Sequence, residues 1–164
     1  MTAVYLLLGS NLGERLPNLQ AAINEIKAKA GEVVKLSSVY ETEPWGVSEQ
    51  PAFLNQVACI LTDKAPEALL NQLIAIEKKL GRERKGKWTE RTIDIDILYY
   101  GNEILVKNDL KIPHKELHNR RFTLIPLNEI APDFKHPVLN LSTAKLLDYC
   151  ADKLEVKRYG EFKV

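Results

Sequence analysis

The segment Arg91-Thr92-Ile93-Asp94-Ile95-Asp96-Ile97-Leu98 alternates apolar and polar residues with period two. Only an extended strand turns that pattern into one dry face and one wet face. Ile93, Ile95 and Ile97 then enter a core, while Thr92, Asp94 and Asp96 share the opposite face. The two carboxylates stand about 6.6 Å apart along the chain. Parallel carboxylates repel, and a divalent cation removes the repulsion. Mg2+ suits such a pair, because it takes oxygen ligands and binds through one or two carboxylates plus substrate phosphates. Two ions about 3.5–4 Å apart suit it equally. A solvated strand face also carries D-x-D, so the pair alone leaves the chemistry open.

The rest of the chain builds the frame around this strand. Ala3–Leu8 is apolar and ends at Gly9, which predicts a strand. Leu19, Ile23, Ile26 and Ala30 recur at helical spacing, with Pro17 in the first turn and Gly31 as the stop. Val33–Tyr40 and Ala52–Leu61 read as strands, and the second puts Phe53, Asn55, Val57, Cys59 and Leu61 on one face. A second helix opens near Pro66 and closes at Gly81, with Leu69, Leu73, Ile76 and Leu80 as its stripe. After Thr92–Tyr100, the Gly101-Asn102 turn leads into Glu103–Val106. Phe122–Leu127 is an apolar stretch among proline-broken loops, and a last helix is expected around Thr143–Lys153. The order β-α-β-β-α-β predicts an α+β, ferredoxin-like βαββαβ core. Its antiparallel sheet is flanked by helices, with an extra hairpin and a C-terminal helix. At 164 residues without a linker, one domain spanning 1–164 is expected.

Charge sharpens the reading. The formal net charge is only +1, which argues against a surface that coats nucleic acid. Yet Arg82 to Arg91 holds five basic and two acidic residues beside the acidic pair. Carboxylates for metal and arginines for migrating phosphate charge are the parts of phosphoryl transfer. Gly81 to Lys87 matches G-x-x-x-x-G-K, but Trp88 replaces the required Ser or Thr, and the segment runs from helix to strand. It is not a P-loop. His114 and His118 lack the H-E-x-x-H order, so zinc is not expected there. Phe53 and Asn55 on one face can stack on a planar heterocycle and bond its edge. Cys59 and Cys150 form no metal spacing and read as reduced, packed thiols, which with no membrane-spanning run predicts a cytoplasmic protein.

Several motifs in order resemble the 6-hydroxymethyl-7,8-dihydropterin pyrophosphokinase family of folate biosynthesis. They are Leu8-Gly9-Ser10-Asn11-Leu12-Gly13, Tyr40 to Gly46, Gln50 to Asn55, Ile76-Glu77, Gly81 to Arg84, Trp88 to Leu98, Pro113-His114, Asn119 to Phe122 and Pro126-Leu127. The resemblance covers nearly the whole chain. It implies transfer of the β,γ-diphosphate of ATP to the hydroxymethyl group of the reduced pterin, with release of AMP. It implies that Asp94 and Asp96 hold two Mg2+ ions and act in catalysis with Arg82 and Arg91. It assigns Glu77, Arg82, Arg84, Trp88, Arg91, Ile97, His114 and Arg120 to ATP. Phe53 and Phe122 would sandwich the pterin, Asn55 would read its edge, and Thr42, Pro44 and Trp45 would fall on a substrate loop. Thr89, Lys115, Asp109 and Ile74 depart from the usual family residues near the nucleotide. ATP and the pterin are the expected partners, without nucleic acid or membrane, and a monomer is expected.

Two other classes share part of the pattern. A two-metal nucleotidyl transferase uses the same acid pair but normally accompanies a template-binding domain. An RNA-binding ferredoxin-like module carries aromatics on its central strand, where this chain has aspartates.

Overall fold

The computed structural model describes residues 1–43, 51–81 and 92–160. Its strands are β1 (Thr2–Ser10), β2 (Glu32–Leu36), β3 (Val39–Thr42), β4 (Phe53–Thr62), β5 (Asp94–Tyr100), β6 (Leu105–Val106), β7 (Lys111–Ile112) and β8 (Val156–Gly160). Its α-helices are α1 (Arg15–Lys29), α2 (Pro66–Lys79), α3 (Arg121–Ile130) and α4 (Thr143–Tyr149). The main sheet runs β5-β1-β4-β3-β8, with β2 also paired to β4, and each of these neighbouring pairs is antiparallel. Strand β4 therefore inserts between β1 and the β2/β3 pair, which is the split βαβ order expected.

Helices α1 and α2 cover one face of the sheet, here the back. Leu19, Ile23 and Ile26 of α1 and Leu69, Leu73 and Ile76 of α2 pack there against Val4, Leu6, Leu8, Ile93, Ile95 and Ile97. Burying these stripes is what drives both helices onto the sheet, at about 25 cal/mol per Å² of apolar area. Gly31 ends α1 where the backbone passes close to β4, since a Cβ there would sit 2.3 Å from the Leu61 carbonyl oxygen.

The front face has its own core. Leu7, Val57, Leu98 and Tyr99 pack there against Leu124 and Leu127 of α3 and Leu146 of α4. A bulge in β5 makes this possible. Tyr5 pairs with Tyr99 and Leu6 with Ile97, which leaves Leu98 as an extra residue. Leu98 and Tyr99 both join the front cluster, and Tyr100 returns to the back.

Four details differ from the sequence expectation. The strand expected over Val33–Tyr40 breaks into β2 and β3, because Ser37 and Ser38 spend their groups sideways. The Ser37 hydroxyl accepts from the Val57 N–H, and the Ser38 N–H donates to Glu129. Phe122–Leu127 lies inside helix α3, which tolerates Pro126 within its span. Glu129 fastens this helix to β3 by accepting from the Ser38 and Tyr40 hydroxyls as well. The C-terminal helix stops at Tyr149, and the chain then adds β8 beside β3. Finally, Glu103–Val106 contributes only Leu105–Val106 to the small β6-β7 hairpin.

Candidate active site

The sheet register brings the sequence candidates into one row. Asn55 on β4 pairs with Gly9 on β1, and Gly9 pairs with Asp94 on β5. The next front-facing row is Val57, Leu7 and Asp96. Two strand spacings separate Asn55 from Asp94, about 10 Å. Between them lies only the backbone of Gly9. A Cβ there would fall 2.8 Å from Asn55 Nδ2 and 3.7 Å from Phe53 Cδ1. The glycine keeps a bare floor between the carboxamide and the carboxylates. Its role was not read from the sequence, although a glycine inside an apolar strand signals close approach.

Asn55 is 4% exposed, and its Nδ2 donates to the Leu8 carbonyl at 3.3 Å. Phe53 starts β4 and pairs with Thr42 at the end of β3. Thr42 is buried, and its hydroxyl has no hydrogen-bond partner among the described residues. Phe122 sits at the start of α3 and packs against the front cluster that holds Leu7 and Val57. The Arg120 guanidinium lies 5.6 Å from the centre of the Phe122 ring. Asn11, at the end of the same β1 segment, is buried and donates to the Pro51 carbonyl at 3.3 Å.

Asp94 and Asp96 are half-buried on the front face. Glu77 reaches β5 from the back. It is 4% exposed, and its Oε2 accepts the Ile95 N–H at 2.7 Å. The carboxylate assigned to ATP from sequence thus grips the residue between the two aspartates. Removing it leaves a buried donor unsatisfied, at about 1–3 kcal/mol. We expect Glu77→Ala to lower the melting temperature and weaken metal binding together, with Glu77→Gln recovering most of both. Full metal affinity in Glu77→Ala, measured by calorimetry, contradicts a hold on β5.

His114 follows β7. Its backbone N–H donates to the Leu98 carbonyl at 3.0 Å. Its Nδ1 accepts the Glu116 N–H at 3.1 Å, so a neutral ring carries its proton on Nε2. That nitrogen lies 4.0 Å from Asp96 Oδ2. Burial first and then the Arg120 charge bring the imidazole pKa down to about 4, against the opposing pull of Asp94 and Glu116. The ring is therefore neutral at physiological pH and offers a donor beside the acidic pair.

A cavity of about 220 Å³ opens along the outer edge of β5. Leu70 of α2, Ile95, Asp96 and Ile97 of β5, the residues Asn108–Lys111, and His114 and Lys115 line it. Asp109 and Lys115, which depart from the family pattern, therefore stand at this cavity. Pro44, Trp45, Arg82, Arg84, Trp88 and Arg91 lie outside the described residues, as does Thr89. Among the described residues no three His, Cys, Asp or Glu side chains gather into a metal cluster. A pair of carboxylates is nevertheless the donor set that Mg2+ uses when phosphates complete its shell.

Comparison with known proteins identifies the family and the fold. The family description "7,8-dihydro-6-hydroxymethylpterin-pyrophosphokinase" matches residues 5–132. The chain is 41% identical over 155 residues to a 2-amino-4-hydroxy-6-hydroxymethyldihydropteridine pyrophosphokinase of Haemophilus influenzae, spanning 94% of this chain and 97% of that one. It is 42% identical over 138 residues to the protein of the same name from Aquifex aeolicus, spanning 84% and 86%. The fold superposes on the crystal structure of Plasmodium falciparum HPPK-DHPS with a TM-score of 0.74 at 17% identity. That match covers 90% of this chain and 44% of the longer one. The chain belongs to the 7,8-dihydro-6-hydroxymethylpterin pyrophosphokinase family of folate-pathway diphosphokinases.

Proposed function

We propose that this chain moves the β,γ-diphosphate of ATP onto the hydroxymethyl group of 6-hydroxymethyl-7,8-dihydropterin and releases AMP. The Asn55–Gly9–Asp94 row carries the reading. It sets a heterocycle-reading carboxamide and a metal-holding carboxylate on one floor, about two strand spacings apart. A flat pterin lying on Gly9 places its ring toward Phe53 and Asn55 and its substituent toward Asp94. The orphaned Thr42 hydroxyl supplies a further polar contact at the ring end. Phe122 closes the ring from the helix layer.

ATP enters from the other side of β5. The Ile95 N–H points to the outer edge, where Glu77 takes it. Alternation puts the Ile97 N–H and carbonyl on the same edge. A strand edge offering a donor and an acceptor beside the cavity can pair with the edge of adenine. The triphosphate then runs toward Asp94, Asp96 and His114. Arg82, Arg84, Trp88, Arg91 and Arg120 complete the ATP contacts in this reading.

Asp94 and Asp96 fit two Mg2+ ions by charge, oxygen chemistry and shared face. Bound Mg2+ neutralises phosphate charge and lowers the pKa of the attacking alcohol. The chain's own part is alignment: the alcohol must meet Pβ in line with the departing AMP oxygen. Neutral His114 donates from Nε2 to oxygen on the phosphate side. Arg82 and Arg91 serve the charge that builds during transfer.

The free, buried Cys59 and Cys150 support a reducing, cytoplasmic setting. No helix among the described residues is long and apolar enough to cross a membrane. The chain acts in this reading as one domain and as a monomer, without nucleic acid.

The test is the nucleotide product. With Mg2+, ATP and the pterin, chromatography should show AMP and the pterin diphosphate in equal amounts. Omitting the pterin should stop AMP formation. Release of ADP, or AMP formed at the same rate without pterin, defeats the assignment.

A further inference from the structure

Arg15 is the first residue of α1, and no acidic residue shares its turn. A cation there opposes the positive end of the helix dipole, at about 0.3–1 kcal/mol. Its position is therefore set by what it binds. One nitrogen, Nη1, donates to Glu41 Oε2 at 2.7 Å and to the Ala52 carbonyl at 2.8 Å. The guanidinium also lies 5.6 Å from the centre of the Tyr159 ring on β8.

The two acceptors flank one cross-strand pair. Glu41 precedes Thr42 on β3, and Ala52 precedes Phe53 on β4. Thr42 and Phe53 pair with each other. Alternation puts Glu41 on the back face, since its partner Leu54 belongs to the core under α1 and α2. The front face carries Thr42, Phe53 and, two residues on, Asn55. Arg15 thus pulls on both strands from behind, at the end where the front face bears its ring-binding residues.

The geometry points to Arg15 as a positioning residue for the pterin subsite. Resting on the function proposed above, it sets the separation of Thr42 and Phe53 without touching substrate. A charge-assisted bond joins β3 to α1, and a second bond from the same nitrogen joins β4 to that point. Among the described residues, what else holds this end is the β3-β4 ladder, the pairing of Glu41 and Thr42 with β8, and Asn11 on Pro51.

The experiment compares two ligands on the full chain. Calorimetry measures 6-hydroxymethyl-7,8-dihydropterin binding in the presence of α,β-methylene-ATP, and that analogue's binding with Mg2+ alone. Arg15→Ala should weaken the pterin about tenfold, the usual range for losing a charge-assisted bond. Binding of the ATP analogue should stay unchanged, since its cavity lies across β1 and β4 at the far edge of the sheet. Arg15→Lys, which keeps donors for both acceptors, should recover most of the loss. Glu41→Gln, which keeps a neutral acceptor and the packing, should give a smaller loss and serves if Arg15→Ala does not fold. Unchanged pterin affinity in these variants overturns the inference. So does equal weakening of both ligands without rescue by lysine, which marks general destabilisation. A wild-type chain that binds the analogue but no pterin defeats the proposed function itself.

Discussion

Asparagine at Asp94 or Asp96 should abolish Mg2+-dependent AMP release while the chain stays folded. Each change removes one negative charge and keeps the size and shape of the side chain. Both positions are half-buried on the front face, and the back-face isoleucines that hold β5 are untouched. Metal-centred charge stabilisation supplies several kcal/mol to such transfers, so the loss should be on the order of a thousandfold. The control is the thermal transition, which should move little. The discriminating readout is Mg2+ titration: the wild-type rate should saturate, and the variants should stay near background. Near-normal turnover in both variants removes the metal assignment.

The second large effect should come from Gly9. Alanine there places a methyl group 2.8 Å from Asn55 Nδ2, closer than side chains approach. The yielding partner is the end of the Asn55 side chain. It must turn away and give up its bond to the Leu8 carbonyl. The new methyl also occupies the floor on which the ring is proposed to lie. A displaced, buried amide costs about 1–3 kcal/mol, so pterin affinity should fall about ten- to a hundredfold. The ATP analogue should bind as before, because its cavity lies beyond β5. Unchanged pterin binding in Gly9→Ala would show that the ring does not lie on this floor.

The parts of the molecule that could be read beforehand are those with local signatures. The alternation of Ile93, Ile95 and Ile97 and the helical spacing of Leu69, Leu73 and Ile76 place residues on faces without reference to any other segment. These patterns define the βαββαβ order and one side of the acidic pair. Helix α3 escaped because Pro126 interrupts it, and because its Phe122–Leu127 stretch reads as helix or strand alike. Strand β8 escaped because Lys157, Arg158 and Tyr159 are exposed, and it owes its form to pairing with β3. The site divides the same way. Phe53 with Asn55, and Asp94 with Asp96, share faces through period two. That Asn55, Gly9 and Asp94 form one row depends on register across three strands, which no local pattern encodes. Glu77 was singled out, but its hold on the Ile95 N–H depends on how α2 lies on β5.

Strand β5 closes one end of the main sheet. Its run from Ile93 to Tyr100 is a β-rich, hydrophobic segment whose only charges are Asp94 and Asp96. Glu77 takes the Ile95 N–H and the His114 N–H bonds the Leu98 carbonyl, but the rest of an edge of that composition invites pairing with a second molecule, and charges on an edge strand are a common guard against it. The same two carboxylates therefore serve solubility. Neutralising both at once removes that guard from β5, so the acidic pair is constrained by colloidal stability as well as by turnover.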